Sequence, residues 1–123
     1  MTVPGPGGVG FRRQWRYYRT EAGAMPARDF LASLDVDDAK AIRAGMRIVA
    51  ESGRSAARHV RGDIYEVRVR RSGRAWRVLF STEGRFAHVL LAVSAFEKKT
   101  SRTPKAEIDL AEARLRDWRR RGQ

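Results

Sequence analysis

The chain contains no cysteine, so neither a disulfide framework nor a thiolate metal site can hold it together. Its two histidines, His59 and His88, stand far apart, which argues against a dedicated metal site, and no metal or cofactor is expected. No apolar run approaches the roughly 20 residues that span a bilayer. The N-terminus lacks the apolar core of a secretory signal, so a cytoplasmic location without a membrane partner is expected. Acidic residues are scarce: 14 Asp and Glu against 26 Lys and Arg leave a formal net charge of +12. Such a balance favours polyanionic partners, because the planar guanidinium grips phosphate through a fork of donors. A solvated basic surface or an acidic protein partner would account for the charge equally well.

A chain of 123 residues suits one domain with a modest core. Residues 1–10, MTVPGPGGVG, have no periodicity and read as a disordered N-terminal tail, leaving residues 11–123 as a single domain. Gly5, Gly7 and Gly10 match G-x-G-x-x-G. No strand can precede them and no helical pattern follows, so a dinucleotide site fails its context test.

Residues 63–99 organise the rest. Two alternating runs meet at Ser72-Gly73, and a short polar turn then leads into a nearly continuous apolar run ending at Lys98-Lys99. Period-two alternation marks half-buried strands and Ser-Gly marks a tight turn, which predicts a three-stranded antiparallel meander. A two-residue loop would set Arg71 against Arg74, Val69 against Trp76, Val67 against Val78 and Tyr65 against Phe80, one apolar face. The other face would oppose Arg70 to Ala75, Arg68 to Arg77 and Glu66 to Leu79. Two like charges directly across a ladder cost a few tenths of a kcal/mol up to about 1. A sheet that places them there usually has an anion to put between them. Which face Lys98 and Lys99 share depends on a turn length that parity does not give.

Residues 11–19, FRRQWRYYR, read as a first strand at the edge of the meander, with Trp15 and Tyr17 on one face. Interleaved aromatics and arginines also suit single-stranded nucleic acid, though core aromatics of a small sheet are the commoner case. Residues 26–34 and 35–52 predict a helical hairpin, the second helix capped by Asp35 with Asp38 in the capping-box position and its stripe formed by Ile42, Met46 and Val49. Residues 54–62, RSAARHVRG, read as a basic connector whose side chains, three arginines and His59, could rim the arginine-bearing face. Thr103-Pro104 then signals an N-cap and a first helical position, and Ile108, Ala111, Leu115 and Trp118 continue an amphipathic helix to about Arg120.

This order of elements resembles the RelE/ParE superfamily of type II toxin–antitoxin toxins. Residues 63–113 are similar to its HigB-like, phage-derived branch through Ile64-Tyr65-Glu66-Val67-Arg68, Trp76-Arg77-Val78-Leu79-Phe80, and Ala95-Phe96-Glu97-Lys98-Lys99-Thr100 followed by Thr103-Pro104. The resemblance implies an α+β, RelE-like fold: a four-stranded, mainly antiparallel sheet with an N-terminal helical hairpin and a C-terminal helix. It implies a ribosome-dependent mRNA endonuclease in which a ribose 2′-hydroxyl attacks the adjacent phosphate without metal. The expected partners are a cognate antitoxin of helix-turn-helix type, the ribosome and mRNA. Arg68, Arg77, Lys98 and Lys99 match the family's basic active-site positions; Glu66, Lys98 or Lys99, and His88 are candidates to move protons. Arg58, Arg61, Arg70 and Arg74 are the expected RNA-binding residues. The chain departs from well-known members in having no tyrosine or histidine after Lys99. Two alternatives stay open, a ParE-like toxin acting on DNA gyrase and a plain basic nucleic-acid-binding module.

Overall fold

The central hairpin sets the rest of the architecture. In the computed structural model, which describes residues 13–122, strand β3 (Ile64–Arg71) turns into β4 (Arg74–Glu83). The expected tail, residues 1–10, lies outside the described residues. Ser72 and Gly73 both take positive φ, 52° and 77°, the backbone that two-residue hairpin loops require. That loop fixes the pairing: Arg71 lies opposite Arg74, Val69 opposite Trp76, Arg68 opposite Arg77 and Tyr65 opposite Phe80. The register expected from the sequence holds at every position.

Strand β5 (Val89–Glu97) runs antiparallel along the other side of β4. A 3-10 turn, Arg85–Ala87, precedes the run. Strand β1 (Gln14–Tyr17) joins β5 in parallel, and β2 (Arg58–Arg61) joins β3 antiparallel. The sheet is therefore five-stranded and mixed, in the order β1-β5-β4-β3-β2, where four strands were expected. The missed strand lies in the basic connector. Its RHVR sequence has none of the apolar alternation by which a half-buried strand is recognised.

Helices α1 (Pro26–Ala32) and α2 (Val36–Ser52) cover one face, and α3 (Lys105–Arg120) covers part of the other. The first core joins Leu31, Ile42, Met46 and Val49 to Val67, Trp76, Val78 and Phe80. Each such side chain contributes roughly 1.5–3 kcal/mol when fully buried. Gly45 lets α2 approach closely: a Cβ there would meet Val69 Cγ2 at 3.0 Å and Val67 Cγ1 at 3.2 Å. The second core joins Leu79, Leu91, Val93 and Phe96 to Ala111, Leu115 and Trp118.

A bulge in β5 connects these two cores. Leu79 pairs with Ser94 but Phe80 pairs with Ala92, so Val93 is an extra residue. Its carbonyl accepts a hydrogen bond from Arg114 of α3 at 2.7 Å. Before the bulge Leu90 and Ala92 face α2; after it Phe96 faces α3, which carries Lys98 to the α3 side. Two capping expectations are corrected. Asp35 precedes α2 without a side-chain cap, and Asp38 is buried, accepting from Arg71 at 2.6 Å and Arg74 at 3.4 Å. Pro104 rather than Thr103 occupies the cap position of α3, and it too lacks a side-chain cap bond.

Candidate active site

The α3 side of the sheet is closed at one end and open at the other. Over the open end lies a cleft of about 550 Å³ lined by Arg58, His59, Val60, Glu66, Arg68, Arg70, Arg77, Lys98 and the segment from Thr100 to Thr103. Strands β3 and β4 supply the floor, β2 one wall, and residues 98–103 between β5 and α3 the other. The alternation of the hairpin explains why Arg68, Arg70 and Arg77 arrive together, since all three project from the face opposite Val67, Val69 and Trp76.

Arg77 is the least ordinary of them. Only 4% of it is exposed, yet its Nε makes no hydrogen bond. One terminal nitrogen donates to the Trp76 carbonyl at 3.0 Å, and Nε stands 3.4 Å from Glu66 Oε1. Burial pushes the proton affinity of Arg77 down, Glu66 opposes this, and Arg68, Arg70 and Arg58 add to it. The ion pair with Glu66 is real but loose. A desolvated guanidinium with a free donor is costly unless something anionic completes it.

Glu66 is 2% exposed and accepts a hydrogen bond from Thr103 Oγ1 at 2.8 Å. This is the work of Thr103 in place of the helix cap expected of it. Lys98 has its ammonium near the Thr100 carbonyl. Its pKa is pushed down, first by partial burial, then by Arg77 and Arg70. Lys99 is exposed and is not part of the cleft lining.

The other expected residues divide sharply. Arg58 and Arg70 line the cleft, exposed and, among the described residues, without an ion pair. Arg61 turns away, paired with Asp109 at 2.5 Å and Glu112 at 2.7 Å on α3. Arg74 is paired with Glu97 at 2.8 Å and stands over the Trp76 ring. His88 lies at the opposite end of β5, with Nδ1 2.6 Å from the Arg85 carbonyl. His59, expected at the rim of the arginine-bearing face, lines the cleft. Sequence reasoning missed Thr103 and Arg102 as cleft residues; the Thr-x-x-Thr-Pro spacing was the available signal for the first. Among the described residues no group of three His, Asp or Glu side chains could hold a metal ion, and no helix is long and apolar enough to cross a membrane.

Fold and site together define a small α+β protein with an open, arginine-floored cleft. The chain belongs to the family described as phage derived protein Gp49-like (DUF891), whose model matches residues 29–116. It is also similar to two proteins named "Probable endoribonuclease HigB1", from Mycobacterium tuberculosis strains CDC 1551 / Oshkosh and ATCC 25618 / H37Rv. Each is 29% identical over 123 residues, covering 98% of this chain and 94% of the relative. Both findings support the HigB-like toxin that the strand motifs resemble.

Proposed function

We propose that the protein is the toxin of a type II toxin–antitoxin pair, an endoribonuclease that cuts mRNA on the ribosome in the cytoplasm. The observation that carries this reading is Arg77, a buried guanidinium with a vacant donor on the floor of an open cationic cleft. The relatives named as probable endoribonucleases support the reaction class.

In this reading the ribose 2′-oxygen attacks the adjacent phosphorus. The P–O2′ bond forms as the P–O5′ bond breaks, leaving a 2′,3′-cyclic phosphate and a 5′-hydroxyl. Arg68 and Arg77 hold the non-bridging oxygens on which charge gathers, an effect of about 2–4 kcal/mol per preorganised donor. Lys98, its pKa lowered by partial burial and then by Arg77 and Arg70, takes the 2′ proton. Water protonates the leaving 5′-oxygen. Glu66, clasped by Thr103, orients Arg77. Arg58 and Arg70 take flanking phosphates, and Lys99, Arg61 and Arg74 have no direct part.

The test is the fate of mRNA in a translation extract given the purified protein. Cut transcripts with 5′-hydroxyl and cyclic-phosphate ends are expected. Intact transcripts together with loss of gyrase supercoiling would transfer the protein to the gyrase poisons.

A further inference from the structure

Three hydroxyl side chains, Thr100, Ser101 and Thr103, stand in the wall of the cleft between β5 and α3. Two of them are committed. Thr103 Oγ1 donates to Glu66 Oε1 at 2.8 Å, and Thr100 Oγ1 donates to the Arg102 carbonyl at 2.7 Å. Ser101 is exposed, and among the described residues its hydroxyl makes no hydrogen bond. The segment that carries it has no helix or strand from Lys98 to Pro104, yet it is fastened near both ends: the Lys98 amide donates to the Ala75 carbonyl at 2.7 Å, and Thr103 holds Glu66. Ser101 is thereby kept at the cleft on a stretch of backbone that another protein can reach.

Charge singles out the same hydroxyl. Arg58, Arg68 and Arg70 line the cleft with it, exposed and without an ion pair among the described residues, and the buried Arg77 adds an unfilled donor. A phosphate on Ser101 would meet these guanidinium groups as an intramolecular partner, at an effective concentration of about millimolar for a short link. Each of them grips phosphate oxygens through a planar fork of donors. The sequence around Ser101 is also basic, with Lys98 and Lys99 three and two positions before it and Arg102 directly after. Such flanks suit a modifying enzyme whose substrate groove is acidic.

We propose that Ser101 is a phosphorylation site and that its phosphate settles on the cleft arginines and closes the cleft from within. A protein kinase supplies the phosphoryl group from ATP. The bond from Ser101 Oγ to the γ-phosphorus forms as the bond from that phosphorus to the ADP oxygen breaks, and the hydroxyl proton passes to a base of the kinase. The product carries up to about two negative charges. It takes the places on Arg68 and Arg70 that an RNA phosphate would need. The loss of cleavage rests on the function proposed above; the seating of the phosphate on the arginines does not.

The test uses the full chain in three measurements. Incubated with ATP and a kinase that selects basic residues upstream of serine or threonine, the folded protein should gain one phosphate, placed by mass spectrometry on Ser101 and not on Thr100 or Thr103. Neighbouring cations favour the dianion, so the phosphorus resonance of the chain phosphorylated at Ser101 should titrate about one pH unit below that of the phosphorylated peptide 95–107. Arg70→Ala should return part of that difference. In a translation extract the phosphorylated chain should cut mRNA at least about tenfold more slowly than the unmodified one, and phosphatase should restore the rate. Phosphate on another residue or on none, a titration equal to that of the peptide, or undiminished cleavage would overturn the proposal. If the phosphate titrates low but the unmodified protein cuts no RNA, the phosphate seat stands and the ribonuclease reading falls.

Discussion

The two faces of the sheet share the same strands and are finished differently. Toward α1 and α2 the face is sealed: Trp76, Val78 and Phe80 of β4 are each 1% exposed or less. Toward α3 it is sealed over Leu79, Leu91 and Phe96 and left open over Arg68, Arg70 and Arg77. Along β4, neighbours one position apart thus do different work: Trp76 holds the fold and Arg77 faces the cleft. The difference teaches that stability and chemistry are divided by strand parity, with α3 deciding how far the second core extends before the charge begins.

The largest break in that comparison is Trp76→Ala. Emptying a fully buried aromatic site should cost about 3–5 kcal/mol, read as a lowered midpoint in denaturant. Arg77→Ala is its counterpart. It removes a desolvated cation but leaves Glu66 buried without its counter-ion, so the midpoint should fall by less than in Trp76→Ala, while cleavage on translating ribosomes should drop by about a hundred- to a thousandfold. An Arg77→Ala protein that melts far below wild type yet cuts normally would mean that the faces are assigned the wrong way round. Lys98→Arg sharpens the open half. It keeps the charge but removes a group of lowered proton affinity, so cleavage should fall about a hundredfold. The pH–rate profile of wild type should have a rising limb below the ordinary lysine range, and the variant should lose it.

The smallest expected effect lies at the sealed end. Asp117 accepts from the Tyr18 hydroxyl at 2.6 Å and from Arg121 at 2.7 Å, and these bonds hold its carboxyl down at about 2. An unfolded aspartate titrates at about 3.9. The folded value is the lower one, so the stabilisation is complete above about pH 4 and is lost as pH falls through about 2. Wild type should therefore lose more melting temperature across that interval than Asp117→Asn, while cleavage at neutral pH is the same for both.

Much of this division was legible in the sequence because it is local. Ser72-Gly73 fixes a two-residue loop, and seven pairs of residues follow from it. What stayed hidden depends on partners distant in the chain. The parallel pairing of β1 with β5 has no local signature, and β2 lacks an apolar face to betray it. Arg61 and Arg74 look as available as Arg58 and Arg70 until α3 and Glu97 are in place to bind them. Thr103-Pro104 reads as a cap, because nothing in the local sequence says that Glu66, 37 residues earlier, will claim the hydroxyl.

The bulge at Val93 makes the placement of the cleft lysine a matter of counting. Loss of Val93 would restore simple alternation and turn over every side chain beyond it. Glu97 and Lys99 would swing to the α3 side, and Phe96 and Lys98 would swing toward α2. The cleft would then gain an acid beside Arg77, and the second core would lose its phenylalanine. Loss of Ser101 or Arg102, a few positions on, would shorten the link to α3 and leave the lysines where they are. Two single-codon deletions within ten codons of each other would therefore have unlike fates, one recasting the electrostatics of the cleft floor and the other shortening one of its walls.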